Sequence, residues 1–361
     1  MFVPVSGPFG MGEYARSLAI AKGAHRRWPS ASIHFILSGK APYAVQTPFS
    51  ATLLASSPTF HSKAVIDVIE QWRPDVVIFD NAGRTAQLRA AKRYGAGVVY
   101  ISARRRQRSR AFRLSWMRLI DEHWIAYPEF IAGSLSFLER LKLDLLRRPA
   151  VRYLDVILES TASRVDCAAD DYVLVVPGGG TGHPGANDAV EYFLSAAKSL
   201  AATGVATVFV GRAAETPAGT PPAPGIHTLV PAASEPAEAT HDPHLRQLGS
   251  LPQSELVELM RGARLIIANG GSTLLQSIAC GKPCIAVPIA GDQGERIRRC
   301  VSAGVAVAAA LDSASIVRAA GDLLQNESRL DALVGRTIAL GLTDGVDVAL
   351  RALNALMAKG A

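Results

Sequence analysis

The run LGSLPQSELVELMRGARLIIANGGSTLLQSIACGKPCIAVPIAGDQGERIRRC, residues 248–300, lays out strands, glycine turns and helices in close succession. A helical stretch, Glu255–Arg261, leads into the apolar segment RLIIAN (264–269). A double glycine follows, and a second helical stretch, Thr273–Ala279, opens directly from it. The apolar segment PCIAVP (283–288) comes next and ends at the turn GDQ. Apolar runs of this length alternating with helices predict parallel strands covered by helices on both faces. In such sheets a ligand binds outside the carboxyl ends of the strands, so the chemistry belongs in the turns.

Outward from this run the alternation continues. The first half carries FVPV (2–5), SIHFIL (32–37), DVVIF (75–79), GVVYI (97–101) and HWIAY (123–127), with helical stretches at Tyr14–Trp28, Ser62–Gln71 and Ala86–Tyr94. The second half adds YVLVVP (172–177) and ATVFVG (206–211), with a helix over Ala186–Ala202. The pattern restarts after Arg164. This predicts two Rossmann-like α/β domains, 1–165 and 166–361, with a cleft between them. A final helix, roughly Asp347–Lys359, is expected to close the chain and to pack back on the first domain. Residues 213–245, rich in Pro, Ala and acid, read as a surface insertion.

Composition agrees with this layout. The 361 residues exceed one ordinary core, and 49% are hydrophobic while only 6% are aromatic. No apolar run reaches the roughly 18 residues of a membrane span. The N-terminus shows no basic region followed by an apolar core, so a cytoplasmic protein is expected. The four cysteines have neither disulfide-framework nor zinc spacing and read as structural thiols. Charge is uneven: residues 1–165 hold 24 Lys and Arg against 12 Asp and Glu, and residues 166–361 hold 14 against 19. A basic and an acidic half point to different partners.

The turns differ in chemistry. Gly270 and Gly271 let an anion approach the backbone without a Cβ clash, Ser272 and Thr273 add hydroxyl donors, and the helix start contributes about half a positive charge. GGGTGHPGAND (178–188), after YVLVVP, offers the same features through Gly179, Gly180 and Thr181; Arg212 follows the next strand. Neither turn is a Walker A loop or a clean GxGxxG fingerprint. Asp292 and Gln293 place an acid and an amide where hydroxyl groups can be received. Near the N-terminus, GMGEYARSLAIA (10–21) sets Gly10, Gly12, Glu13 and Arg16 at another helix start. Glu13 is either a general base or an acid that stabilises the helix dipole. Pairing with Arg16 would lower its pKa and argue against the base role. Asp80 and Asn81, at the end of DVVIF, are the rival acid and amide. His183 is the one histidine near a phosphate-type loop.

Residues 248–300 resemble the donor-binding signature of GT-B nucleotide-sugar glycosyltransferases. The branch most similar contains the MurG-type enzymes and the UDP-sugar hydrolase of pseudaminic acid synthesis. The N-terminal loop resembles that family's G-x-G-H-x-x-R-x-L-x-x-A. The resemblance implies that Gln253, in LPQSEL, lies at the nucleotide base and that the GGST turn holds the diphosphate. It further implies that Gln276 faces the ribose and that Asp292 and Gln293 meet the sugar. Two positions depart from the family: its ribose-binding Glu falls on Gln276, and its loop His falls on Glu13. The implied activity is metal-independent transfer of a sugar from a nucleotide-diphospho-sugar, which is substrate rather than cofactor, to an acceptor hydroxyl. The acceptor is a glycan, a lipid or a small molecule. Hydrolysis of the same donor and a non-catalytic GT-B-shaped partner protein are the rival readings. A nucleotide-sugar 2-epimerase would need further paired acids, which the sequence does not show.

Finally, ARRRQRSRAFRLSWMRLIDEHW (103–124) places seven arginines between Arg104 and Arg118, with Phe112, Trp116, Leu119 and Ile120 at helical spacing. This predicts a basic amphipathic helix, suited to a solvated face, an anionic acceptor or the inner surface of an anionic membrane. No nucleic-acid reader motif accompanies it.

Overall fold

The computed structural model describes residues 1–8, 11–158, 171–178, 186–211, 242–249, 251–291 and 293–358. The first half runs β1 (Phe2–Pro4), α1 (Gly12–Arg27), β2 (His34–Ser38), β3 (Ser50–Leu54), α2 (Ser62–Trp72), β4 (Val76–Asp80), α3 (Thr85–Arg93) and β5 (Gly97–Ser102). It continues with α4 (Arg105–Ala111), α5 (Leu114–Met117), β6 (Glu122–Ile125), α6 (Glu129–Ala132), α7 (Phe137–Leu146) and β7 (Ala150–Tyr153). The second half runs β8 (Tyr172–Val176), α8 (Ala186–Ala202), β9 (Thr207–Val210), β10 (Leu245–Leu248), α9 (Gln253–Gly262), β11 (Ala263–Asn269), α10 (Ser272–Ala279) and β12 (Cys284–Val287). It closes with α11 (Gln293–Ser302), β13 (Val307–Ala308), α12 (Ser313–Leu324), α13 (Glu327–Ala339) and α14 (Gly345–Met357).

The strands form two parallel sheets, ordered β3-β2-β1-β4-β5-β6-β7 and β10-β9-β8-β11-β12-β13. Alternate residues feed opposite faces. Phe2 and Ile78 enter one core while Val3, Val77 and Phe79 enter another. Leu174 and Val176 face one side of the second sheet, and Val173 and Val175 face the other. In each sheet the chain reverses direction of growth beside its first strand: β1 lies between β2 and β4, and β8 lies between β9 and β11. The loops leaving β1 and β4 are thereby neighbours, as are those leaving β8 and β11. These are the switch points where such sheets bind ligands.

Four strands, β3, β7, β10 and β13, escape the apolar-run reading, and all four are sheet edges. An edge strand is covered less completely, so sequences such as SATLL, AVRY and LRQL suffice. The expected basic helix over 103–124 is also revised. It is two short helices, α4 and α5, broken at Arg113, whose φ/ψ of −76/133° is extended. Trp116 and Ile120 still turn into the core. Arg108, however, is buried rather than solvated.

Helix α14 crosses back to the first sheet. Val346, Ala349, Leu350, Ala352 and Leu353 join the core built on β1, β2 and α1. The approach is close enough that a Cβ on Gly23 would sit 2.7 Å from Val346. The connector after β7 meets the start of α14: Gly345 N–H donates to the Val156 carbonyl at 2.8 Å, and Leu158 N–H to Asp344 Oδ1 at 3.2 Å. The proposed boundary near residue 165 lies outside the described residues.

Candidate functional site

At the first switch point, Asp80 ends β4 and is fully buried. Arg16, one turn into α1, reaches it with both arms of its guanidinium, at 2.9 Å to Oδ2 and 2.6 Å to Oδ1, and Ser17 Oγ donates at 3.3 Å. Burial pushes the Asp80 carboxyl up to about 6, against the pull of Arg16. Burial lowers the Arg16 guanidinium, but the Asp80 carboxylate more than offsets this and leaves it above its ordinary value. The two-armed contact has the geometry of a buried ion pair.

The next residue, Asn81, adopts a left-handed backbone (φ 53°), a conformation Asn tolerates better than most residues. Its side chain is clamped between two partners. Oδ1 accepts from Ala103 N–H at 2.8 Å, which forces Nδ2 to point the other way, and Nδ2 donates to Glu13 Oε1 at 2.8 Å. The half-buried Glu13 carboxylate is thus aimed by an amide whose orientation the backbone sets.

The second switch point is bridged by neutral amides. Asn269, the last residue of β11, donates from Nδ2 to the Pro177 carbonyl and accepts at Oδ1 from Gly271 N–H, both at 2.7 Å. It ties the loops after β8 and β11 together. Gly178 has φ 90°, and a Cβ there would lie 1.9 Å from Asn269 Nδ2, so only glycine fits. Gln293 Oε1 accepts from Gly270 N–H at 3.2 Å and from Ile289 N–H at 2.9 Å. Gly271 caps α10 with no side-chain bond, leaving the first-turn N–H groups of Ser272 and Thr273 for an anion.

Groups from both halves meet between these points. Gln253 Nε2 and Gln276 Nε2 donate to the same carbonyl, that of Ile157, at 3.2 and 3.1 Å. Arg296 donates to the Gly270 carbonyl and lies 5.1 Å from the centre of the Tyr127 ring, while Arg299 donates to the Ile131 carbonyl.

These contacts rearrange several sequence expectations. Glu13 and Asn81 come together, as do Arg16 and Asp80, but Arg16 does not pair with Glu13. Asp80 is no free acid at the cleft: its oxygens are spent on Arg16 and Ser17. Gln293 is also occupied, its amide oxygen stapling the loops and not free for a sugar. Gln253 and Gln276 share one carbonyl at the connector, and among the described residues no donor bonds to either Oε1. Gly12 starts α1, and a Cβ there would meet nothing within 4 Å. Gly10, Gly179, Gly180, Thr181, His183, Arg212 and Asp292 lie outside the described residues. Asn269, Arg296 and Tyr127 were not singled out from sequence. An Asn ending a strand directly before a double glycine was the available signal for the first; for the other two only the tertiary fold supplies one.

Two parallel sheets, each with its own switch point, joined by one connector and a returning C-terminal helix, correspond along nearly the whole chain to known structures. The fold is GT-B. The spinosyn forosaminyltransferase SpnP superposes with a TM-score of 0.63, covering 99% of each chain at 11% identity. MurG of Acinetobacter baumannii gives a TM-score of 0.55, with 97% of this chain and 99% of that one covered at 14% identity. A Listeria monocytogenes protein assigned as UDP-N-acetylglucosamine 2-epimerase gives 0.57 over 99% and 96% at 14% identity. No model of a known protein family matches the chain, and no curated protein matches it in sequence.

Proposed function

We propose that this GT-B chain is a glycosyltransferase that moves a sugar from a nucleotide-diphospho-sugar to an acceptor hydroxyl without a metal. One observation carries the reading: Asn81 aims the Glu13 carboxylate, while the nearby guanidinium of Arg16 is committed to Asp80. Among the described residues no cation forms an ion pair with Glu13. Its second oxygen, Oε2, is left to take the acceptor proton. The acceptor oxygen then bonds to the anomeric carbon as the bond from that carbon to the diphosphate oxygen breaks. The charge leaves on the nucleotide diphosphate, at the start of α10, where Ser272, Thr273 and the helix dipole receive it. Gln253 is assigned to the base and Gln276 to the ribose, where Gln276 offers a neutral acceptor in place of a charged one. Asp80 is assigned to hold Arg16 and α1, not to move protons.

The acceptor belongs to the basic first half. A cytoplasmic location at the inner face of an anionic membrane suits the exposed arginines of Arg104–Arg118 and a lipid-linked or envelope-glycan acceptor.

Thermal shift with UDP, dTDP and GDP tests the donor site, and absence of stabilisation by all three would sink the enzyme reading. Donor turnover with and without candidate acceptors tests the reaction. Rapid stoichiometric release of free sugar and nucleotide without acceptor would make the protein a hydrolase using the same groups.

A further inference from the structure

Helix α7 is built inside out. Phe137, Leu138, Leu141 and Leu145 are 77, 63, 52 and 75% exposed, and no residue of the helix is buried. Its polar side chains, by contrast, fasten it to α4. Glu139 accepts from Arg108 Nε at 3.2 Å and Nη2 at 2.9 Å, and Lys142 Nζ donates to the Phe112 carbonyl at 3.1 Å. Arg108 also donates to the carbonyls of Ala132, Gly133 and Ser134 just upstream. A capping box between Ser136 and Glu139 fixes the first turn. The helix is therefore held in place while presenting its apolar side outward.

At 3.6 residues per turn, positions 137, 141, 145 and 138 fall within an arc of about 100°, bounded by Asp144 and then Arg140 on one side and by Lys142 on the other. Such a stripe on an anchored helix is a contact surface. Charge selects the occupant. Exposed arginines surround it: Arg104, Arg105, Arg106 and Arg113 on the α4–α5 side, Arg140 and Arg147 on α7. The exposed acids of the same region are Glu129 and Asp144. A second copy would bring the same cations face to face, whereas an anionic bilayer offers acyl chains to the leucines and headgroups to the arginines.

We propose that α7 is the lipid-inserting element of a docking face for anionic membranes. This extends the reading of Arg104–Arg118 as a basic face and does not depend on the catalytic assignment. The face also borders the site. Arg104 follows Ala103, whose N–H orients Asn81 against Glu13, so docking sets the Glu13 side of the cleft close to the lipid surface.

The full chain is sedimented with vesicles of phosphatidylcholine alone and of equimolar phosphatidylcholine and phosphatidylglycerol. Binding is expected only with the anionic lipid. Leu138→Gln with Leu141→Gln should weaken it about tenfold or more, with the circular dichroism melt unchanged because both positions are exposed. Leu138→Trp should show a blue-shifted emission component quenched by brominated acyl chains. Anionic binding that is unaffected by the glutamine pair, with no quenching, would keep the basic face and overturn insertion by α7. Absence of binding to either vesicle would overturn both. A dimer in light scattering that Leu141→Glu dissolves, without vesicle binding, would assign the stripe to a second copy and overturn the proposal.

Discussion

The two switch points share a backbone plan and differ in what fills it. At the first, a carboxylate and a guanidinium, Asp80 and Arg16, are buried together, and a second carboxylate, Glu13, is left at the helix start. At the second, Asn269 and Gln293 do the bridging with neutral amides, and the helix start carries glycine and hydroxyls. A buried ion pair stiffens α1 against β4 and spares Glu13 from a cation. Among the described residues, a neutral bridge leaves the first N–H groups of α10 without a side-chain cap, which suits an incoming anion. On the proposed function, the same place in a doubly wound sheet serves proton transfer in one domain and phosphate binding in the other.

The largest test of this contrast is Glu13→Gln. It should lower turnover by roughly 10²–10⁴-fold while leaving nucleotide-induced thermal stabilisation unchanged. Near-normal turnover would remove Glu13 from the chemistry. Arg16→Met should come next, because it leaves Asp80 buried without its partner. A loss of about 3–5 kcal/mol in urea unfolding is expected, with much of it recovered by adding Asp80→Asn. Loss of less than about 1 kcal/mol would show that the pair is not what holds α1.

On the neutral side, Gly178→Ala should cost about 1–3 kcal/mol and weaken nucleotide binding, since its Cβ collides with Asn269. Unchanged affinity would place the diphosphate away from this bridge. Gly271→Val should act through the same bridge, because a Cβ there meets Asn269 Oδ1 at 2.6 Å and disturbs the loop before any ligand arrives.

The smallest effect per step of the measured variable concerns His123, which is buried and paired with Ser102 at 2.8 Å. Burial, with Arg108 nearby, lowers its pKa from 6.5 to about 3. The unfolded chain then binds the proton more readily, so this contribution is present above pH 6.5 and is lost as pH falls towards 3. The stability gap between wild type and His123→Gln should shrink by at most about 1.4 kcal/mol per pH unit across that window. Measuring the gap is necessary because Asp80, raised from 3.8 to about 6, contributes the opposite slope between those values. A gap independent of pH would mean that His123 is hydrated.

Much of the fold was legible because buried parallel strands need continuous apolar runs, and YVLVV, RLIIAN and DVVIF supply them. The four missed strands lie where that demand lapses, at the sheet edges. Within the site, glycines before helix starts could be read because their reason is local. The partners could not. Whether Arg16 chooses Glu13 or Asp80 depends on β4 lying beside β1, a contact spanning 64 positions. Likewise Gln293 looks like a polar loop residue until the packing of α11 beside Gly270 adds a distant N–H to the local one of Ile289. The arginine run misled in the other direction. Composition shows seven cations but not that Arg108 is drawn inward by three carbonyls and Glu139.

The return of α14 has a consequence for how the molecule is made. Synthesis delivers β1 to β7 first, yet the core on one face of that sheet lacks Val346, Ala349, Leu350 and Leu353 until nearly the whole chain has emerged. The usual order, in which the earlier domain finishes folding during translation, is therefore inverted. The second sheet can close while the first still waits with apolar surface on α1 uncovered. A nascent chain stalled before residue 345 should be the form most in need of a chaperone.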